Sequence, residues 1–124
     1  MSEASMKNTG KKVLIVEDEE VQLDLMKALF EGRGYEVAGV PSGEEAVSYL
    51  EQNRVDHVIT DIRMPGMGGM ALIEWVKANR RSLLSRLVVT TGDTFSPSVM
   101  EFLKAESLKV LAKPYDVMEL LAAL

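Results

Sequence analysis

Carboxylate side chains stand where two apolar runs of the sequence end. The apolar residues 13–16 are followed directly by an unbroken acidic run, which consists of Glu17, Asp18, Glu19 and Glu20. A second apolar run, residues 55–60, ends at Asp61. Short apolar runs predict buried strands, and open α/β sheets bind their ligands beyond the carboxyl ends of the strands. The sequence therefore predicts a cluster of carboxylates at one edge of a sheet.

Clustered carboxylates require a compensating charge. Two carboxylates about 4 Å apart repel by about 4 kcal/mol at an effective dielectric constant of about 20. The alternative is that the acidic run only decorates the start of a helix, which contributes about 0.3 to 1 kcal/mol per residue. This alternative does not account for Asp61. Because oxygen ligands that leave room for water favour Mg²⁺, we predict a magnesium site.

Two residues at other strand ends could act with Asp61 on phosphorus. A carboxylate held beside a metal can be a nucleophile. Thr91 follows the fourth apolar run, and its hydroxyl could donate to a phosphoryl oxygen. Lys113 follows the fifth, and its ammonium could neutralise charge on the transferring oxygens. Taken singly, a threonine at a strand end usually reflects β-propensity and a lysine usually points to solvent, so the prediction of aspartyl-phosphate chemistry rests on their shared edge.

Alternating strand and helix patterns supply the elements that must position these residues. The apolar runs cover residues 13–16, 35–40, 55–60, 87–90 and 108–111. Helical patterns separate them, which predicts βα units around a parallel sheet. Connections of this length predict a doubly wound sheet with helices on both faces.

Helix signals occur in each connection. The first helix is indicated by apolar residues at helical spacing, Val21, Leu25, Ala28 and Leu29. Ser42 and Glu45 form a capping-box pattern for the second helix. The third carries Met70, Ile73, Trp75 and Val76, the fourth starts near Ser96, and the fifth runs from about Asp116 to the end. His57 lies within the third strand pattern, where we expect a packed histidine.

Length and composition exclude several classes of protein. With 124 residues the chain predicts one domain, and its net charge of -5 is the wrong sign for binding nucleic acid directly. The sequence has no cysteine, which removes disulfides and thiolate metal sites. The polar residues 1–10 predict a flexible amino-terminal lead rather than a signal peptide, and no apolar run is long enough to span a membrane. We predict a cytoplasmic protein without a membrane partner.

Four motifs together resemble the receiver domain of two-component response regulators. They are VLIVEDE, TDIRMPGMGG, VVTTGD and LAKP, in that order over nearly the whole chain. The resemblance implies that residues 11–124 form one receiver domain. It implies a CheY-like, flavodoxin-like (βα)5 fold, with five parallel strands in the order 2-1-3-4-5.

The same resemblance implies roles for six residues. Asp61 would be phosphorylated from a histidine-kinase phosphohistidine, so that the partner is a histidine kinase or a phosphotransfer domain. Mg²⁺ would be held by Asp61, by Asp18, by Glu17 directly or through water, and by the backbone carbonyl of Arg63. Thr91 and Lys113 would contact the phosphoryl group. The domain would catalyse its own phosphorylation and dephosphorylation without being an enzyme in the ordinary sense.

Some positions depart from the receiver pattern. Val110 replaces an aromatic residue that is frequent in the family, which puts its threonine-to-aromatic switch in doubt. Gly68 stands where an aspartate is common. The segment from Thr90 is most similar to receivers at the carboxyl end of hybrid sensor kinases, so the chain is expected to be either such a receiver or a stand-alone protein.

Three alternative functions remain open from the sequence. The first is a degenerate receiver that acts only as a docking module. A phosphatase of the haloacid-dehalogenase type would also form an aspartyl phosphate, but it typically has a second acid where Arg63 stands. A flavodoxin-like flavin binder would need small hydroxyl residues and glycines in place of the acidic run.

Overall fold

The protein is a single five-stranded parallel sheet covered by helices on both faces. The structure is a computed structural model, and it describes residues 9–63, 68–92, 97–106, 108–113 and 116–124. The strands are β1 (Lys12–Val16), β2 (Glu36–Val40), β3 (His57–Asp61), β4 (Leu87–Thr91) and β5 (Lys109–Ala112). Their order is β2-β1-β3-β4-β5, and all neighbours are parallel. The predicted fold class is therefore confirmed.

Each strand lies within two residues of its predicted position, because short apolar runs mark buried parallel strands well. In β1, Leu14 and Val16 contribute to the core on one face of the sheet. Val13 and Ile15 contribute to the core on the other face. This alternation follows from the two-residue side-chain period of a strand, and it explains why the run is apolar throughout.

In the described residues, four α-helices lie in the connections between strands, and a fifth follows β5. They are α1 (Glu20–Glu31), α2 (Gly43–Gln52), α3 (Gly69–Asn79), α4 (Pro97–Ala105) and α5 (Val117–Ala123), and a 3₁₀ helix, Arg81–Arg86, precedes β4. Buried residues of α2, α3 and α4 belong to one core, and buried residues of α1 and α5 belong to the other. The doubly wound arrangement follows from this division.

Local sequence signals account for several helix ends. Ser42 Oγ accepts a hydrogen bond from the Glu45 N–H at 3.1 Å, which is one half of the predicted capping box. Asp116 and Glu119 form a complete capping box at the start of α5. At α3 the cap is Gly68, which has no side chain to accept a bond from the first turn.

The apolar residues that predicted α1 do not form its buried face. Val21 is 82% exposed and Leu25 is 54% exposed. Met26 and Phe30 are buried instead. The spacing was sufficient to predict a helix, but it did not identify the side that packs on the sheet. An exposed apolar strip consequently remains on α1.

Two sequence predictions stay predictions. In the predicted amino-terminal lead, residues 1–8 lie outside the described residues, while Thr9 N–H donates to the Gly34 carbonyl at 2.9 Å. None of the helices in the described ranges has the length and apolar character needed to cross a bilayer. The cytoplasmic location is not tested by this finding.

Candidate functional site

Three carboxylates converge at the carboxyl edge of the sheet. Glu17, Asp18 and Asp61 each offer an oxygen, and these atoms all lie within 4.8 Å of one another. Glu17 and Asp61 are buried, whereas Asp18 is exposed. They meet because β1 and β3 are adjacent and parallel, so that residues at their carboxyl ends share one edge. The cluster predicted from the sequence is therefore present.

Lys113 provides a positive charge within this cluster. Its Nζ lies 2.8 Å from Asp61 Oδ2 and 3.9 Å from Glu17 Oε1. The Lys113 N–H donates to the Thr91 carbonyl at 2.8 Å, which fixes the main chain just after β5. The side chain of Lys113 is 33% exposed, so the ammonium also reaches solvent. A group that binds Asp61 would meet this ammonium.

Main-chain contacts orient Asp61. Its Oδ1 accepts a hydrogen bond from the Arg63 N–H at 3.3 Å. The next residue, Ile62, donates its N–H to the Thr90 carbonyl at 3.0 Å. These bonds attach the end of β3 to β4 and turn the carboxylate towards the edge of the sheet. Thr91 is fully buried at the end of β4, on the strand beside Asp61.

Gly69 is a positioning residue that the sequence analysis missed. A Cβ at this position would lie 2.6 Å from the Asp61 carbonyl oxygen and 2.7 Å from Ile62 Cα. Real Cβ atoms essentially never approach backbone that closely. The Gly69 N–H also donates to the Ile62 carbonyl at 3.0 Å. The glycine pair before a helix was visible in the sequence, but the tight contact with β3 was not.

The environment of Glu17 is unfavourable to its own charge. Burial raises the pKa of the Glu17 carboxyl above its usual value, and the negative charges of Asp61 and Asp18 act in the same direction. The Glu19 N–H, which donates to Glu17 Oε2 at 3.2 Å, and the nearby Lys113 oppose this rise. The site therefore lacks positive charge even with Lys113 in place.

The residues present fit a hard divalent cation. The donors that the described residues bring together are carboxylate oxygens, and oxygen donors suit Mg²⁺ rather than a soft metal. Lys113 is one ammonium among three carboxylates, so a dication would offset the remaining charge. The predicted ligands Glu17, Asp18 and Asp61 are therefore brought together, whereas a role for the Arg63 carbonyl stays a prediction.

Other predicted site features are less completely tested. Thr91 lies on the strand between those that carry Asp61 and Lys113, but its contact with a phosphoryl group stays a prediction. Val110 is half-buried on β5. Residues 64–67 and 93–96, which follow Arg63 and Gly92, lie outside the described residues.

Comparison with known protein families and structures gives a consistent result. A sequence profile of the response regulator receiver domain matches residues 13–124. The transcriptional regulatory protein ZraR of Salmonella typhimurium is 32% identical over 104 residues, which are 84% of this chain and 23% of ZraR. The chain thus spans about a quarter of the length of that relative.

Solved structures are similar over most of the chain. Response regulator protein TrrA from Thermotoga maritima, in complex with Mg²⁺-BeF, has a TM-score of 0.79 at 26% identity and covers 90% of this chain and 94% of its own. The signal receiver domain of a signal transduction histidine kinase from Syntrophus aciditrophicus has a TM-score of 0.80 at 30% identity, with 90% and 85% covered.

Proposed function

Because this chain belongs to the receiver domains of two-component response regulators, a resemblance that the family profile confirms, we propose that Asp61 accepts the phosphoryl group. The observation that carries this assignment is the convergence of three carboxylates and Lys113 on one edge of the sheet. A carboxylate with an ammonium at 2.8 Å and a cation-binding donor set beside it has the surroundings that phosphoryl transfer needs.

The chemistry is the transfer of a phosphoryl group from a histidine nitrogen to a carboxylate oxygen. A carboxylate oxygen of Asp61 attacks phosphorus, an O–P bond forms, and the N–P bond of a phosphohistidine breaks with its electrons returning to the imidazole. Lys113 neutralises charge on the transferring oxygens, and the Thr91 hydroxyl donates to one of them. Mg²⁺, held by Glu17, Asp18, Asp61 and the Arg63 carbonyl, would supply further charge compensation. The domain acts on its own phosphoryl group and on no separate substrate.

The phosphoryl donor is a histidine kinase or a phosphotransfer domain. The feature of this chain that supports such a donor is the exposed apolar strip of α1. The strip is formed by Val21 and Leu25 and lies directly after the acidic run. An apolar surface beside the reacting carboxylate can hold a donor protein while its phosphohistidine reaches Asp61. The similar Syntrophus domain, from a histidine kinase, is consistent with such a partner.

Phosphorylation then changes the surface formed by α4, β5 and α5. Thr91 connects the site to this surface, because it lies at the end of β4 and its carbonyl accepts a hydrogen bond from the Lys113 N–H after β5. With valine at position 110, no aromatic ring there can swing inward, so repacking around α4 carries the change. Amide chemical shifts in Pro97–Ala105 should move when beryllofluoride and Mg²⁺ are added. Changes confined to the carboxylate cluster would contradict this part.

Intact-mass spectrometry with acetyl phosphate tests the phosphoacceptor. Wild type with Mg²⁺ should gain one phosphoryl group, and Asp61→Asn should gain none. Asp24→Asn is the matched control, because Asp24 is an exposed acid of α1, and it should gain the group like wild type. Phosphorylation of Asp61→Asn at the wild-type rate, or of wild type without divalent metal, would contradict the assignment. No gain in any variant would favour the docking-module alternative.

A further inference from the structure

A cavity lies at the opposite edge of the sheet from the carboxylate cluster. Its volume is ≈ 410 Å³, and its lining residues are Leu50, Asn53, Arg54, Val55, Asp56, Arg80, Ser82, Leu83 and Arg86. They come from the end of α2, the start of β3, the end of α3 and the 3₁₀ helix before β4. A volume of this size falls within the range of about 300 to 1,000 Å³ that is usual for small-molecule sites.

The cavity concentrates positive charge in an acidic protein. The net charge of the chain is -5, yet five of its six arginines lie between residues 54 and 86. Three of them, Arg54, Arg80 and Arg86, line this cavity, and among the described residues the lining holds one carboxylate, Asp56. Arg54 comes from the connection between β2 and β3, and Arg80 and Arg86 come from the connection between β3 and β4. Their convergence therefore results from the fold and not from a run in the sequence.

Asp56 and Arg80 are already held by protein groups. Asp56 Oδ2 accepts the Lys12 N–H at 2.8 Å, and its Oδ1 lies 3.9 Å from Arg86. Arg80 donates to the Leu50 carbonyl at 3.1 Å and to the Asn79 carbonyl at 2.9 Å. These bonds fix the Arg80 guanidinium against the carbonyl ends of α2 and α3, and they offset the negative charge that those helix ends bring.

Arg54 and Arg86 keep donors for a ligand. The side chain of Arg86 is 53% exposed, and its contact with Asp56 is too long for a hydrogen bond. Arg54 is exposed, and within the described ranges it makes no recorded ion pair. The planar fork of a guanidinium matches the oxygens of a phosphoryl group in two parallel hydrogen bonds.

We propose that this cavity binds a small anion that carries phosphoryl groups. Arg54 and Arg86 contact its oxygens, Asn53 and Ser82 offer further polar groups, and Leu50 and Leu83 lie beside its less polar part. The site is independent of the proposed phosphorylation of Asp61, because the cavity lies at the amino ends of the strands and the carboxylates lie at their carboxyl ends.

Inorganic pyrophosphate is the probe for this site. It is titrated into ¹⁵N-labelled protein without divalent metal, so that the carboxylate cluster repels it. We expect saturable amide shifts at residues 53–56 and 80–86. Arg54→Ala should weaken binding at least threefold, and Arg54→Ala with Arg86→Ala should weaken it at least about tenfold, as expected for the loss of two charge-assisted contacts.

The matched control is Arg33→Ala, which removes the same charge from an arginine outside the cavity lining. It should bind pyrophosphate like wild type. Equal weakening by Arg33→Ala would mean that only net charge matters and would overturn the proposal. Shifts that do not saturate would also overturn it, as would tighter binding of a hexaglutamate peptide, which would indicate an acidic protein segment. Arg54→Ala protects the test against misfolding, because Arg54 makes no side-chain hydrogen bond or ion pair with the part of the chain that the structure describes.

Discussion

Substitution of Gly69 by alanine should destabilise the protein and slow its phosphorylation together. In a helix, alanine is ordinarily favoured over glycine by up to about 1 kcal/mol. Here the added Cβ would meet the Asp61 carbonyl at 2.6 Å and Ile62 Cα at 2.7 Å, and both are backbone atoms that cannot rotate away. Overpacking of this kind costs about 1 to 3 kcal/mol.

After subtraction of the helix-propensity gain, the net loss in the free energy of unfolding should therefore be up to about 2 kcal/mol. For 124 residues this lowers the unfolding temperature by about 4 °C per kcal/mol. The shift of the end of β3 should also move the Asp61 carboxylate away from Lys113 and reduce the rate of phosphorylation by acetyl phosphate. Thermal unfolding followed by circular dichroism, with intact-mass kinetics on the same samples, measures both effects.

Gly92→Ala is the matched control for this change. Gly92 follows β4 at the same edge of the sheet, and a Cβ there would have no atom within 4 Å. It should unfold within about 0.5 kcal/mol of wild type, as surface substitutions usually do. If Gly69→Ala unfolded at or above the wild-type temperature, the contact between α3 and the end of β3 would not be as close as the structure has it.

Three further changes have defined outcomes. Burial lowers the pKa of His57, and its Nδ1 has no hydrogen-bond partner among the described residues, so the unfolded chain binds the proton more readily. Stability should fall as pH drops below about 6.5, by at most about 1.4 kcal/mol per pH unit, and urea unfolding should show a smaller fall in His57→Gln. Gly68→Asp supplies the missing cap of α3 and should raise the free energy of unfolding, measured with urea, by a few tenths of a kcal/mol, whereas a decrease would mean that the cap geometry does not accept a side chain. Lys77 Nζ lies 2.7 Å from Glu106 Oε2 and joins α3 to the end of α4, so Glu106→Gln should speed amide hydrogen exchange in α4; unchanged exchange would show that the ion pair does not restrain this helix.

The order and type of the elements could be predicted from the sequence because their signals are local. Buried parallel strands require continuous apolar runs, and these runs placed all five strands within two residues. Ser42 and Asp116 marked helix starts for the same reason, since a capping side chain bonds only to the first turn of its own helix.

The buried face of α1 could not be predicted in the same way. Val21 and Leu25 are four residues apart, and so are Met26 and Phe30, so both pairs satisfy a helical spacing. The two pairs differ only in that the second faces the sheet and the first faces solvent. That choice depends on how the helix axis is rotated about the sheet. This rotation is set by the packing of side chains between helix and sheet, and it cannot be predicted from the local sequence.

For the candidate site, the sequence by itself determined which groups are available: carboxylates at the ends of β1 and β3, a threonine at the end of β4, and a lysine after β5. Parallel pairing was enough to predict that they share one edge. Only the tertiary structure decided that Lys113 reaches Asp61 across 52 residues, that Gly69 must lack a side chain, and that Arg54 and Arg86 face one cavity. In each case, segments that are far apart in the sequence approach to within a few ångströms. The packing of the whole chain sets these distances.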